Sequence, residues 1–362
     1  MNLDQLKASK RHIIESHVRP NDRKGLTMVL TTVLPVAALF YAMVESTDVS
    51  YWLTAVLVLA TGLFLIRAFV LMHECGHGSL FRSGRLNRAF GFMLGVVTGM
   101  PQYVWARHHQ HHHATNGNWD RYRGPLNIIR LDEYEALTSA QKRRYRNARS
   151  LWMAPLAGLM YVIVNPRLNW LMGSFALLVH MGKGKVRQPR RSLKALAAEF
   201  VSPYWSSANE YRHMCWNSCT LLALLAAISW LDGSALFVAC YVVCASLAGA
   251  AGIVVFAVQH NFDQAYASGD AGWDYDRAVL DGTSLLVLPA WLNWFTANIG
   301  YHHIHHLSAR IPSYCLVACH EEFAHLFVEV RRIGLAQIPA ALRCMLWDAP
   351  GGRIVSLAEA RP

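Results

Sequence analysis

The chain has 362 residues, enough for a large core, yet only 16% are charged and 54% are hydrophobic. With a mean hydropathy of +0.20, this lies on the membrane side of ordinary soluble usage. The net charge of +11 is not interleaved with a nucleic-acid fold, so nucleic acid is excluded as a partner, and the eight cysteines form no secreted disulfide framework.

Met1–Lys24 is polar and lacks an early apolar stretch, so no cleavable signal peptide is expected. A membrane span needs about 20 mostly apolar residues. Leu26–Val44 and Tyr51–Met72 qualify and are joined by a short turn containing Glu45 and Asp48. Met214–Leu231 and Ser234–Val258 form a second pair around Leu231-Asp232-Gly233. Neither turn holds Lys or Arg, whereas the amino terminus and the middle (Lys142-Arg143-Arg144, Arg146, Lys183, Lys185, Arg187, Arg190, Arg191) are basic. The positive-inside rule therefore puts both termini and the middle segment in the cytoplasm. Arg67, inside the second span, is expected to snorkel to that boundary. Ala89–Trp105 is short and rich in glycine, and Leu151–Met181 is interrupted by Asn165-Pro166-Arg167. Both read as interfacial or re-entrant pieces, the second also as a hairpin. Residues 315–347 read as an amphipathic helical region, where Cys315, Cys319 and His320 have no metal-motif spacing.

The expected fold is all-α and multi-pass, with four strong transmembrane helices in two hairpins, interfacial helices and a histidine-rich cytoplasmic cap. It is one domain over 1–362. Residues 1–25 precede the first hairpin (26–72), 73–213 carry two histidine clusters, 214–258 form the second hairpin, and 259–362 carry the third cluster.

The chemistry lies in half of the eighteen histidines. His73-Glu74-Cys75-Gly76-His77 directly follows the second span, and i,i+4 spacing puts both imidazoles on one helix face. The run His108-His109-Gln110-His111-His112-His113 offers two registers of an HxxHH unit, His108/His111/His112 or His109/His112/His113, and spacing does not choose between them. In His302-His303-Ile304-His305-His306 only His302/His305/His306 fits. His260 closes the last strong span. All four groups fall on one side of the membrane under the charge-derived topology. Nine nitrogen ligands exceed what one tetrahedral zinc uses, so two metals are expected. An imidazole-rich, carboxylate-poor set suits Fe(II) and oxygen chemistry. Glu74, Asn118, Asp120, Asp263 and Asn298 are candidate partners for the outer ring nitrogens.

At these residues the chain resembles the integral-membrane fatty acid desaturases and their three histidine boxes. His73–Ser79 looks like box one, with Glu74 where the family more often has Asp. Trp105 through Asp120 looks like box two and selects His109, His112 and His113. Asn298–Tyr314 looks like box three of acyl-lipid desaturases, and Gln259-His260 resembles the additional histidine between boxes. The resemblance runs from about Tyr51 to Glu322. It implies a di-iron centre, O₂ as co-substrate, two electrons from a separate donor such as ferredoxin or cytochrome b5, and a fatty-acyl substrate on a membrane lipid. The product is a cis alkene, and the setting a bacterial inner membrane.

Rival readings use fewer of these residues. An intramembrane zinc protease would take His73 and His77 with Glu74 as base and a third ligand from Leu280-Asp281-Gly282 or Leu231-Asp232-Gly233. It leaves six clustered histidines idle. A ferritin-like centre from Glu74/His77 and Glu322/His325 leaves more. A metal transporter would place ligands near the bilayer midplane. Membrane di-iron hydroxylases acting on alkanes, sterols or carotenoids share the boxes.

Overall fold

Apolar runs punctuated by Asn, Ser, Pro and Gly build a helical protein. The computed structural model describes residues 3–124, 126–232 and 234–360. α1 (Leu3–His17) buries Leu6 and Ile13, and its Lys7 and Lys10 reach Asp274 and Asp276 at 2.6 and 2.5 Å. α2 (Asp22–Glu45) starts at Asn21, whose side chain accepts from Lys24 N. α3 (Tyr51–His77) is 27 residues long and stops where Gly78 takes φ +69°, a left-handed cap that glycine adopts without Cβ strain. α4 (Gly84–Thr98) and α5 (Gln102–Ala114) divide the stretch expected to be one interfacial piece, and the break is Gly99 at φ +81° followed by Met100-Pro101.

Among the described residues five helices are long and apolar enough to cross a membrane: Asp22–Asp48, Tyr51–His77, Leu151–Arg187, Ala208–Leu231 and Leu236–His260. The four expected spans are among them, and the fifth, Leu151–Arg187, contains the stretch read as interfacial, re-entrant or a hairpin. Asn165-Pro166-Arg167 does not interrupt the third of these helices, because Pro166 sits in the first turn after a π-helical segment, Met160–Val164, where its missing N–H costs little. Arg167 is buried there; it donates to Asn217 Oδ1 at 2.6 Å and to the Gly99 carbonyl.

The Leu151–Arg187 and Leu236–His260 helices meet at paired glycines. A Cβ built on Gly158 would lie 2.4 Å from Ala250 N, and one on Gly249 would lie 2.8 Å from Gly158 Cα. Backbones this close are the small-residue packing typical of membrane helices. Gly158→Leu is expected to force the helices apart at a cost of about 1–3 kcal/mol or more. A lowered thermal midpoint of the purified protein would register it, and an unchanged midpoint would contradict this packing.

Three expectations are corrected. Arg67 does not snorkel: it is 3% exposed, donates to Thr32 Oγ1 at 3.0 Å and to the Trp294 carbonyl, and lies 3.8 Å from the Trp294 ring centroid. Its charge is answered inside the protein by a carbonyl dipole and an aromatic face, so it has no need to reach water. Nor is the fold purely α, and residues 315–347 are not one helical region. β1 (Ile129–Arg130), β4 (Cys344–Asp348) and β5 (Arg353–Ser356) form one sheet, and β2 (Ser284–Val287) pairs in parallel with β3 (Arg331–Gly334). Cys344, Met345, Leu346 and Trp347 are all buried, and a strand covered on both faces shows no alternation.

Candidate metal centre

Four elements carry histidines to one place. α3 delivers His73 and His77 in its last two turns, α5 delivers His109, His112 and His113, the helix Leu236–His260 ends on its own histidine, and a short helix His302–Leu307 delivers the rest. A turn holding Ala297 and Asn298 at φ +45° and +61° leads into that last helix. Left-handed conformations at two non-glycine residues are costly, and they cluster where surroundings hold a functional loop in shape.

The nine imidazoles fall into two groups: His73, His77, His109, His113 and His305, and His112, His260, His302 and His306. Within each group the ligand atoms all lie within 4.8 Å of one another. The HxxHH spacing explains the division. On α5 the i,i+4 pair, His109 and His113, joins the first group, and the intervening His112 joins the second. On the short helix His302 and His306 join the second group and His305 the first. The groups abut where the His113 and His306 rings stack at 4.3 Å. His108 and His111 are exposed and lie in neither group, whereas His109, His112 and His113 lie within them.

Do these residues suit metal ions? Nε2 atoms face each other: His73 and His109 at 3.0 Å, His109 and His113 at 3.0 Å, His73 and His77 at 3.2 Å in the first group. In the second, His260–His302 is 2.9 Å, His302–His306 3.1 Å and His112–His306 3.2 Å. Metal–nitrogen bonds of about 2.1 Å set neighbouring donors roughly 3.0–3.4 Å apart. His305 is fully buried, and neither ring nitrogen has a hydrogen-bond partner. Burial, then the neighbouring histidines, hold His109, His112, His113, His302, His305 and His306 well below the usual 6.5. They are neutral near pH 7, as metal-binding imidazoles must be. The donor set fits two metal ions.

Those lowered values also set a stability window. Below pH 6.5 an unfolded chain takes up protons at these positions while the folded chain does not, so acidification favours unfolding. The thermal midpoint of chelator-treated protein is expected to fall steadily as pH drops from above 6.5 to about 5. A flat midpoint across that window would argue against buried neutral imidazoles.

Of the outer-ring candidates, Glu74 alone lies against a clustered histidine. Its Oε1 is 3.3 Å from His73 Nδ1, a close polar contact without hydrogen-bond alignment, and Oε2 accepts from Ser79 Oγ and Ser313 N, both at 2.9 Å. The other four are engaged elsewhere. Asn118 donates to Asp270, Asp120 accepts from Asp270 N, Asp263 accepts from Gln264, and Asn298 donates to the Ser313 carbonyl. The chain turns at Thr115 after α5, which carries Asn118 and Asp120 away from the helix face bearing His109 and His113. Sequence reasoning did not assign the ring contacts around these histidines. The Trp105 ring stacks on His109 at 4.5 Å, its Nε1 donates to Tyr161 at 2.9 Å, and Phe256 packs against His109, His112 and His260.

The rival ligand sets come apart. Asp281 is exposed and accepts from Arg277, and Glu322 pairs with His17 at 3.4 Å, so neither joins the histidines. The other protease alternative includes Gly233, outside the described residues.

Beside the histidines opens a cavity of about 670 Å³, lined by Leu65, Phe69, Met160, Tyr161, Val255 and Phe256 among others, with His73, His109, His112 and His302 in its wall. Its size is in the roughly 300–1,000 Å³ range of small-molecule sites.

Comparison with known sequences points the same way. The family model for fatty acid desaturases covers residues 50–334. A fatty acid desaturase of Bacillus subtilis is 32% identical over 95% of this chain and 88% of its own length. An sn-1 oleoyl-lipid 12-desaturase of Picosynechococcus sp. is 26% identical over 71% of this chain and 65% of its own. An sn-1 acyl-lipid omega-3 desaturase (ferredoxin) of Synechocystis sp. is 35% identical over 22% of each. With its histidines gathered beside an apolar cavity and its sequence matched from residue 50 to 334, the chain belongs to the fatty acid desaturase family.

Proposed function

We propose that this protein places a cis double bond in a fatty-acyl chain carried by a membrane lipid, using O₂, a di-iron centre and two electrons from a separate donor. The observation that carries the reading is the pair of buried imidazole groups opening onto an apolar cavity. When bound, the irons supply the oxidising power that takes hydrogen from unactivated methylenes. His73, His77, His109, His113 and His305 would hold one ion, and His112, His260, His302 and His306 the other. The remaining tasks belong to the chain. Leu65, Phe69 and Phe256 exclude water from the acyl segment, which keeps oxidation on the substrate. Trp105, braced by Tyr161, fixes the plane of the His109 ring. Gln259 Nε2 donates to the Ile299 carbonyl at 2.8 Å and ties the last long helix to the loop bearing box three.

Convergence of the histidines also constrains topology. His77 and His260 end two helices on the same side, so an odd number of crossings must separate residue 77 from residue 236. The Ala208–Asp232 helix, joined to the next by a short turn, supplies one. On this reading Leu151–Arg187 adds no crossing of its own, with basic flanks on both sides, and both termini and the site are cytoplasmic. Exposed Arg143, Arg144 and Arg146 on the helix Ser139–Ala148, beside the cavity residues Ala148 and Arg149, favour an acidic donor such as ferredoxin over a neutral partner.

Expression in a host with saturated lipids is the test. New unsaturated acyl chains in extracted phospholipid, identified by mass spectrometry, are expected. Hydroxylated products without alkenes, or no change in acyl profile from inserted protein, would refute the reading.

A further inference from the structure

Beneath the histidines one stripe of the cavity wall carries only glycine and alanine. On the helix Leu236–His260 the residues facing the cavity include Phe256, Gly252, Gly249, Ala248 and Ala245. Phe256 touches four ligating rings, His109, His112, His260 and His302. One turn deeper is Gly252, and Ala245 lies about 16 Å below Phe256 along the axis.

The two glycines of this face serve different ends. Gly249 is pressed against Gly158, where a Cβ would clash. A Cβ built on Gly252 meets nothing within 4 Å. Residues three and four positions to either side of it (Ala248, Gly249, Val255 and Phe256) all line the cavity, so Gly252 stands at the centre of the cavity-facing stripe. Helix packing does not require a glycine there. What the missing side chain leaves is room.

We propose that Gly252 is the position that sets how much acyl chain fits past the metal centre, the methyl end lying along Gly252, Ala248 and Ala245. The lining gives the direction: its one Arg or Lys is Arg149, at the carboxyl end of the Ser139–Ala148 helix with its basic residues, whereas Ala245 lies among apolar residues well inside the Leu236–His260 helix. A chain whose polar head stays at the Arg149 end sends its tail toward Ala245. This rests on the desaturase reading and adds to it a residue that selects substrate length.

The test is a series, Gly252→Ala, Gly252→Leu and Gly252→Phe, with Gly182→Leu as control, since Gly182 is exposed and also meets nothing within 4 Å. Cells are supplied with two acyl chains differing by about four methylenes. The ratio of long to short unsaturated product is expected to fall slightly for Ala and by about ten-fold or more for Leu and Phe. Gly182→Leu should keep the parental ratio. A uniform loss on both lengths, or an unchanged ratio in Gly252→Leu, overturns the proposal. A second readout needs no turnover: an acyl probe with a diazirine at its methyl end is photolysed with purified protein. Adducts are expected on the peptide containing residues 245–252 and should be lost in Gly252→Leu; adducts elsewhere, or ones the substitution leaves intact, overturn it. If the parent protein makes no alkene but the probe still maps to 245–252, the desaturase reading fails while the assignment of the cavity wall stands.

Discussion

His305→Ala is expected to abolish formation of unsaturated chains while leaving a folded, membrane-inserted protein. His305 is fully buried, with neither ring nitrogen satisfied by another protein group, which costs about 1–3 kcal/mol for each group left unmade. Replacing it removes that cost and opens a cavity instead, two effects of similar size and opposite sign, so the midpoint of the metal-free protein should barely move. A residue that stabilises so little yet sits at the meeting point of the first group, its ring 4.5–5.0 Å from those of His73, His77 and His113, is expected to act through its lone pair. Removing groups that merely support metal ligands costs about 10–100-fold, so loss of a ligand should exceed 100-fold. Iron per chain should fall, and a chelator applied to the parent protein should reproduce the loss, reversed by Fe(II) but not by Zn(II). His108→Ala provides the contrast, because that ring is exposed and belongs to neither group; it should keep most of the activity. Normal product from inserted His305→Ala protein would remove this residue from the centre.

How much of this site the sequence discloses follows from the range of the interactions. The i,i+4 spacing of His73 and His77 and the single register of His302, His305 and His306 are local properties of a helix, and the structure brings all five into the two groups. In the middle cluster both registers satisfy helical spacing, and only burial against α3 and the short helix separates them. The division of each HxxHH unit between two groups depends on how three helices cross and leaves no trace in spacing. Arg67 is similar, since the carbonyl and ring that hold it belong to Trp294, 227 residues away. Asn118, Asp120, Asp263 and Asn298 stood near histidines in sequence but not in direction, because the chain turns between them. The small sheets escaped for another reason: β1 has two residues, and its partner β4 is an apolar run that a buried helix would also present.

Glu74→Gln should lower activity by about 10–100-fold and loosen retention of the metals, with little change in the amount of folded protein. Because His73 directs Nε2 into the first group, its Nδ1 carries the proton, and Nδ1 lies 3.3 Å from Glu74 Oε1, close enough to feel the carboxylate although not aligned as a hydrogen bond. The other carboxylate oxygen receives two donors, Ser79 Oγ and Ser313 N. A carboxylate can meet all three, since both its oxygens only accept. Glutamine has the same shape but one accepting oxygen. If that oxygen keeps Ser79 and Ser313, the amide N–H₂ is turned against the His73 N–H; if it turns to His73, the Ser313 N–H loses its acceptor. Either outcome disturbs the link between box one and the segment that follows box three, and so the distance between the helices holding His73 and His305. Glu74→Asp keeps two acceptors on a shorter stem and should recover more activity than Gln does. A Gln variant equal to the parent would show that side-chain volume at this position suffices and that its charge does not orient the histidine. The ordering parent, Asp, then Gln in both turnover and bound iron is the signature of a carboxylate acting through His73.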